Sequence, residues 1–191
     1  MTIYNKKYFL IIEDIKDIDL NKIKTPNKFI IIYRASRKLR NICHLMNFRK
    51  TCRAKKIQFF VSNNFKLMIN LNADGLYISA YNKDLRINKF KNTKFQIIGS
   101  AHNIKELQIK RQQGCTKFIF SRLFKTNYKS KLSFIGVVKF NLFKLSRKEN
   151  LVPLGGIRLE NLNKMKLVNS DAFVLMSEVK KKPAKIFDRL F

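Results

Sequence analysis

The chain has 191 residues, 46% of them hydrophobic, and its 41 Lys and Arg against 12 Asp and Glu give a formal charge of +29. That length fits one compact domain, expected over residues 1–191, and a hydrophobic share that includes 17 Phe excludes a disordered basic tail. The longest apolar run, Phe29–Tyr33, falls far short of the ~20 residues of a membrane-spanning helix, and Lys6 and Lys7 interrupt anything resembling a secretory leader, so a cytoplasmic protein is expected.

Short apolar or β-branched runs alternate with polar stretches of helical period, the pattern of repeated βα units around a parallel sheet. Tyr8–Ile12 is the first predicted strand, and Asp14–Lys28 is too brief for a helix with two loops, so the first crossover should be shortened to a single turn or an irregular segment. Phe29–Tyr33 follows as the second strand, then a helical stretch over Lys38–Lys55 with Leu39, Ile42, Cys43, Met46 and Ala54 near one face. After the third strand, Gln58–Ser62, Asn64–Leu71 offers Phe65, Leu67, Met68 and Leu71 to a core. Gly75–Ile78 and Phe95–Ile98 are the fourth and fifth strands. A helix over Ile104–Gln113 presents Ile104, Leu107 and Ile109; Asn103 and Glu106 are placed to start it, and Gly114 to end it through a positive φ. Lys117–Phe120, Leu151–Leu154 and Ala172–Leu175 complete the strands, and Arg158–Lys166 and Ala184–Leu190 are the last two predicted helices. Eight such units in one continuous domain predict an α/β fold, a small (β/α)8 TIM barrel trimmed against the ~250 residues typical of that architecture.

A pI of 10.4 is a footprint of nucleic-acid binders. Yet the basic residues recur over nearly all predicted helix exteriors, together with abundant Asn, Ile and Phe, as AT-rich codon usage would produce. No RNP-like strand, GXXG loop, zinc-finger spacing or basic-zipper heptad accompanies them, so nucleic acid is not the expected partner. Cys43, Cys52 and Cys115 make neither an even disulfide set nor a CxxC pair, and with His44 and His102 the only imidazoles no structural zinc is expected.

A barrel of this kind builds its site at the C-terminal strand ends, often with a phosphate pocket after the seventh and eighth strands. Leu154-Gly155-Gly156-Ile157 stands at that place, where bare backbone N–H groups can face an anion, although a plain turn has the same requirement. The other strands end in Tyr33-Arg34-Ala35-Ser36-Arg37-Lys38, Ser62-Asn63-Asn64, Ser79-Ala80-Tyr81-Asn82, Gly99-Ser100-Ala101-His102-Asn103 and Phe124-Lys125-Thr126-Asn127-Tyr128-Lys129. In this order they resemble the thiamine phosphate synthase and thiazole tautomerase (TenI-like) family over nearly the whole chain. Ala73-Asp74-Gly75-Leu76-Tyr77-Ile78 stands for that family's ADGVHLG, and Ile98-Gly99-Ser100-Ala101-His102 for its IGxSAH. The Phe124–Lys129 stretch stands for FPTxTK and Leu154–Ile157 for AIGGI.

The resemblance implies a transferase of thiamine biosynthesis that joins hydroxymethylpyrimidine diphosphate to a thiazole phosphate and releases pyrophosphate. Arg34 and Lys129 would contact the diphosphate, Ser100 the pyrimidine or its diphosphate, and Thr126 the thiazole phosphate. The Gly155/Gly156 turn, with Met176 and Ser177, would complete the thiazole-phosphate pocket. The sequence departs from the family in two places. QxRxK after the second strand reads Ile32-Tyr33-Arg34-Ala35-Ser36, and the two metal-holding aspartates are matched by Asn63 and Asn82. Neutral amides bind Mg²⁺ far less strongly than carboxylates. The implied Mg²⁺ is therefore weakly bound or carried in on the diphosphate, or lysine replaces its charge, or the synthase reaction is inefficient. The tautomerase branch is the alternative, because isomerising a thiazole carboxylate phosphate needs proton transfer and a phosphate grip but no metal; His102 would shuttle the proton. An alternative of another class is a non-catalytic barrel that binds phosphorylated ligands or RNA.

Overall fold

A strand that is apolar at successive positions is stable only when both of its faces are covered. The eight runs meet that condition in the computed structural model, which describes residues 6–35, 42–90, 93–126 and 133–176. Strands β1 (Lys7–Ile12), β2 (Phe29–Tyr33), β3 (Gln58–Ser62), β4 (Gly75–Ile78), β5 (Gln96–Ala101), β6 (Lys117–Ser121), β7 (Leu151–Leu154) and β8 (Ala172–Leu175) pair in parallel and in order, and β8 closes on β1. This is the predicted (β/α)8 barrel. β5 runs past its predicted end because Gly99, Ser100 and Ala101 pair with Phe118, Ile119 and Phe120 of β6.

Alternation along the strands sorts two apolar layers. Tyr8, Leu10 and Ile12 of β1 join the large cluster beneath the helices, whereas Phe9 and Ile11 join Ile30, Ile32, Phe60, Tyr77, Ile98, Ile119, Val152, Ala172 and Val174 in the smaller one that fills the barrel. Carried past the strand ends, the same alternation points Glu13, Arg34, Ser62, Ser79, Ser100, Leu154 and Met176 toward the lumen.

The first crossover is shortened as expected, and the later ones depart more. Between β1 and β2 the short connection forms 3₁₀ turns at Ile15–Asp17, Leu20–Lys22 and Pro26–Lys28, the first two capped by Asp14 and Asp19. Helix α1 (Ile42–Ala54) buries Leu45, Arg49 and Cys52 rather than the expected face, of which Ile42, Cys43, Met46 and Ala54 are exposed. An arginine in the stripe conceals it: Arg49 donates to the Asn72 carbonyl from Nε (3.2 Å) and Nη2 (3.0 Å) and to Asp74 Oδ1 (3.1 Å). Asp74 Oδ2 in turn accepts the Phe59 N–H at 2.7 Å, so this aspartate ties β4 to β3 and to the helix.

Helix α2 (Phe65–Asn70) follows the prediction, and α3 (Ile104–Gln112) starts at Asn103, whose Oδ1 accepts the Glu106 N–H at 2.9 Å, and is followed by Gly114 at φ +80°. Its buried residues are Leu107 and Lys110, whereas Ile104 is exposed and Ile109 half-buried. Helix α4 (Val137–Leu145) was not predicted: apolar almost all round, it buries Phe140 and exposes Val138, Leu142 and Leu145, so no single stripe marks it. The helix expected over Arg158–Lys166 is a 3₁₀ segment, Leu159–Leu167, with Leu162 and Met165 buried at the three-residue spacing of that geometry. A 3₁₀ segment at Leu85–Phe90 was also not predicted, and Ala184–Leu190 lies outside the described residues. Among the described residues no helix is long and apolar enough to cross a membrane.

The thiols divide with the layers. Cys52 and Cys115 are buried, which pushes both pKa values up to about 12, while Cys43 is exposed. Thiolate is the reactive form. Titration of the native protein with a disulfide reagent near pH 8 is expected to modify Cys43 rapidly and the other two only on unfolding; rapid native modification of all three would contradict this packing.

Candidate active site

The lumen is apolar up to the level of Ile11, Ile32 and Ile98, and polar groups begin one inward position higher. Arg34, following β2, is half-exposed; its Nη2 donates to Glu13 Oε1 at 2.9 Å and reaches Met176 Sδ at 3.7 Å. The structure thus brings together Arg34 and Met176, which the resemblance assigned to different substrates. Ser100 is buried on β5, close enough to Tyr77 on β4 for its hydroxyl to favour the phenolate. Burial pushes the Tyr77 pKa up, and the Ser100 hydroxyl and the Arg34 charge partly offset this. Ser62 Oγ is buried and without a hydrogen-bond partner among the described residues. Arg34, Tyr77 and Ser100 therefore form one polar edge above an apolar floor that can accept a flat ring.

On β6 and β7 a second group forms. Leu123 N–H donates to Leu154 O (2.9 Å) and Phe124 N–H to Gly155 O (3.0 Å), which fastens the two loops together. Gly155 and Gly156 adopt φ +99° and +69°. A Cβ at Gly156 would lie 2.5 Å from Phe124 O, and one at Gly155 would lie 2.9 Å from Arg122 Cγ. Arg122 therefore covers the glycine turn, and its Nη1 lies 3.5 Å from Thr126 Oγ1. Thr126, Gly155 and Gly156 thus lie together around Arg122. Lys129 and Ser177 lie outside the described residues.

His102 is exposed after β5. Its backbone N–H donates to Glu106 Oε2 at 2.7 Å, and its Nδ1 lies 2.9 Å from the same oxygen, so the imidazole is tied to the first turn of α3. Asn63 and Asn82 meet: Asn82 Nδ2 donates to Asn63 Oδ1 at 3.2 Å. Two neutral amides already bonded to each other do not fit Mg²⁺, and among the described residues no group of three or more His, Cys, Asp or Glu could hold a metal ion.

Sequence reading passed over Glu13, Tyr77 and Arg122. The period-2 rule carried beyond Ile11 would have found Glu13, and carried along β4 it would have found Tyr77. Arg122 offers no such signal, since its placement depends on the glycine turn of another strand.

The family described as thiamine monophosphate synthase matches residues 26–179. The thiamine-phosphate synthase of Clostridium acetobutylicum is 26% identical over 150 residues, covering 75% of this chain and 71% of that protein. That of Prochlorococcus marinus is 29% identical over 122 residues, 61% of this chain and 34% of that protein, so the match spans about a third of its length. Among solved structures, the thiamine phosphate pyrophosphorylase from Pyrococcus furiosus superposes with a TM-score of 0.70 at 16% identity over 98% of each chain. A 3-hexulose-6-phosphate synthase superposes at 0.68 with 11% identity, over 96% of this chain and 97% of that one. At these identities the structural likenesses speak for the fold.

Proposed function

Because the chain belongs to the thiamine monophosphate synthase family, we propose that it acts in thiamine biosynthesis, coupling hydroxymethylpyrimidine diphosphate with a thiazole phosphate and releasing pyrophosphate. Beyond membership, one observation carries this reading: the Arg34–Tyr77–Ser100 edge stands above the apolar lumen, and the Arg122–Thr126–glycine group is built on the strand ends of the same barrel mouth.

In this reaction the bond between the pyrimidine's methylene carbon and the diphosphate oxygen breaks, and its electron pair leaves with the oxygen. The thiazole nitrogen then donates its lone pair to that carbon, so no side chain has to move a proton for the step to balance. What the protein supplies is charge and placement. Arg34, steadied by Glu13, meets the negative charge that grows on the leaving diphosphate. Ser100 and Tyr77 orient the pyrimidine over the floor of Ile11, Ile32 and Ile98. Thr126, Arg122 and the Gly155/Gly156 backbone hold the thiazole phosphate, with Lys129 and Ser177 assigned to the diphosphate and the thiazole phosphate respectively.

The test is thiamine phosphate formation from the two substrates by the purified full chain, with and without added Mg²⁺. Product is expected; complete inactivity of a folded sample would overturn the reading.

A TenI-like tautomerase is favoured by one contact, the His102–Glu106 pair, which leaves Nε2 of the imidazole for proton transfer. Under the synthase reading, His102→Ala is expected to keep the coupling rate within about threefold of the unaltered enzyme. A thiazole isomerisation that disappears in this variant would place the protein in the tautomerase branch instead.

A further inference from the structure

We infer that the place where this family would seat a divalent cation is, in this chain, a closed hydrogen-bonded amide pair, and that the buried side chains of Lys110 and Gln113 order its loop in place of a metal. Only the expectation of a cation there rests on the synthase reading; the hydrogen bonding stands by itself.

A carbonyl oxygen has two lone pairs. Those of Asn63 Oδ1 accept the Ser79 N–H at 3.0 Å and Asn82 Nδ2 at 3.2 Å, while Asn63 Nδ2 donates to Ser79 Oγ at 2.9 Å. Asn82 Oδ1 accepts the Asp84 N–H at 2.9 Å. Neither amide can be turned over, because an NH₂ group would then face a backbone N–H. Asn82 therefore presents an N–H to its neighbour where a cation would require oxygen, and Asn63 has no lone pair left to offer. Mg²⁺ demands near-octahedral oxygen ligation.

A metal in such a place would also tie the loop after β4 to the barrel. Here α3 does so from below. Lys110 is fully buried, and its Nζ donates to the Asn82 carbonyl and, at 2.8 Å, to Gln113 Oε1. Gln113 Nε2 donates to the carbonyls of Asn82 and Asp84, both at 3.0 Å. Gly99 of β5 gives the lysine stem room to pass: a Cβ there would lie 2.9 Å from both Lys110 Cγ and Cδ. Lys110 of α3 and Gln113, the residue that caps its C-terminus, thus grip the backbone on either side of Lys83.

Mn²⁺ serves as the probe, followed by electron paramagnetic resonance on the full chain. The unaltered protein is expected to leave the free-ion spectrum unchanged. The double variant Asn63→Asp/Asn82→Asp is expected to gain saturable binding that Mg²⁺ displaces, raising affinity by about tenfold or more. In a second arm, hydrogen exchange of residues 79–84 is expected to ignore Mg²⁺ in the unaltered chain and to accelerate by about tenfold in Gln113→Leu, as the loop opens locally. Three results would overturn the inference: saturable Mn²⁺ binding to the unaltered protein that Asn63→Leu abolishes, a folded double variant that takes up no Mn²⁺, or loop protection that rises with Mg²⁺. Neither readout involves turnover. Absence of synthase activity would therefore count against the proposed function and leave this result standing.

Discussion

Replacing Arg34 with alanine is expected to lower the rate of thiamine phosphate formation by about two to three orders of magnitude, the usual effect of deleting one preorganised group that meets developing charge. The guanidinium is half-exposed and contributes to the fold mainly through its pair with Glu13, so the melting temperature should hardly move. Loss of catalysis without loss of stability is therefore the signature. Inhibition by pyrophosphate should weaken in parallel, because in the proposed reaction the same cation would meet the departing product. Arg34→Lys should restore only part of the rate, since an ammonium lacks the planar fork that can hold Glu13 and a phosphate oxygen together. A variant without Arg34 that still works within threefold of the unaltered rate would remove this residue from the reaction.

The second large effect concerns folding. Gly75 begins β4 opposite Gln96 of β5, and a Cβ there would lie 2.1 Å from the Gln96 carbonyl oxygen and 2.6 Å from the Phe60 ring. Neither neighbour can yield: one is backbone in the barrel ladder, the other a fully buried ring. Gly75→Ala should cost about 3 kcal/mol or more, at the upper end of overpacking effects. With ~2–4 °C per kcal/mol in a chain of this size, the melting temperature should fall by roughly 6–12 °C. Thermal unfolding followed by circular dichroism checks this, and an unchanged midpoint would mean that β4 and β5 are not paired as described.

The strands were legible because burial on both faces leaves an unbroken apolar run, and β2, β3, β4, β7 and β8 coincide with their predicted bounds. Helix faces were less legible, and the reason is chemical. Arg49 and Lys110 read as solvent-facing charges, yet both are buried because backbone carbonyls accept their protons. Nothing local to α1 or α3 announces those acceptors, which come from loops far along the chain. Lys110 carries the mark of its position, since burial lowers its pKa to about 8. For the site, motif order located the strand ends and the matched residues, and the structure joined Asn63 to Asn82 and Arg34 to Met176. Glu13 lay within reach of the period-2 rule, whereas Arg122 became visible only once neighbouring strands were in register.

The Arg34 contacts also bear on when the site exists. Its bond to Glu13 spans 21 residues of sequence, whereas its contact with Met176 spans 142 and depends on β8 docking against β1. Pairings of such separation are the slowest to form, because the loop entropy must be met before the contact rewards it. A growing chain can therefore lay down β1 through β7 and still lack the finished cation. On the proposed reaction, competence would arrive with the last strand, at the moment the ring closes.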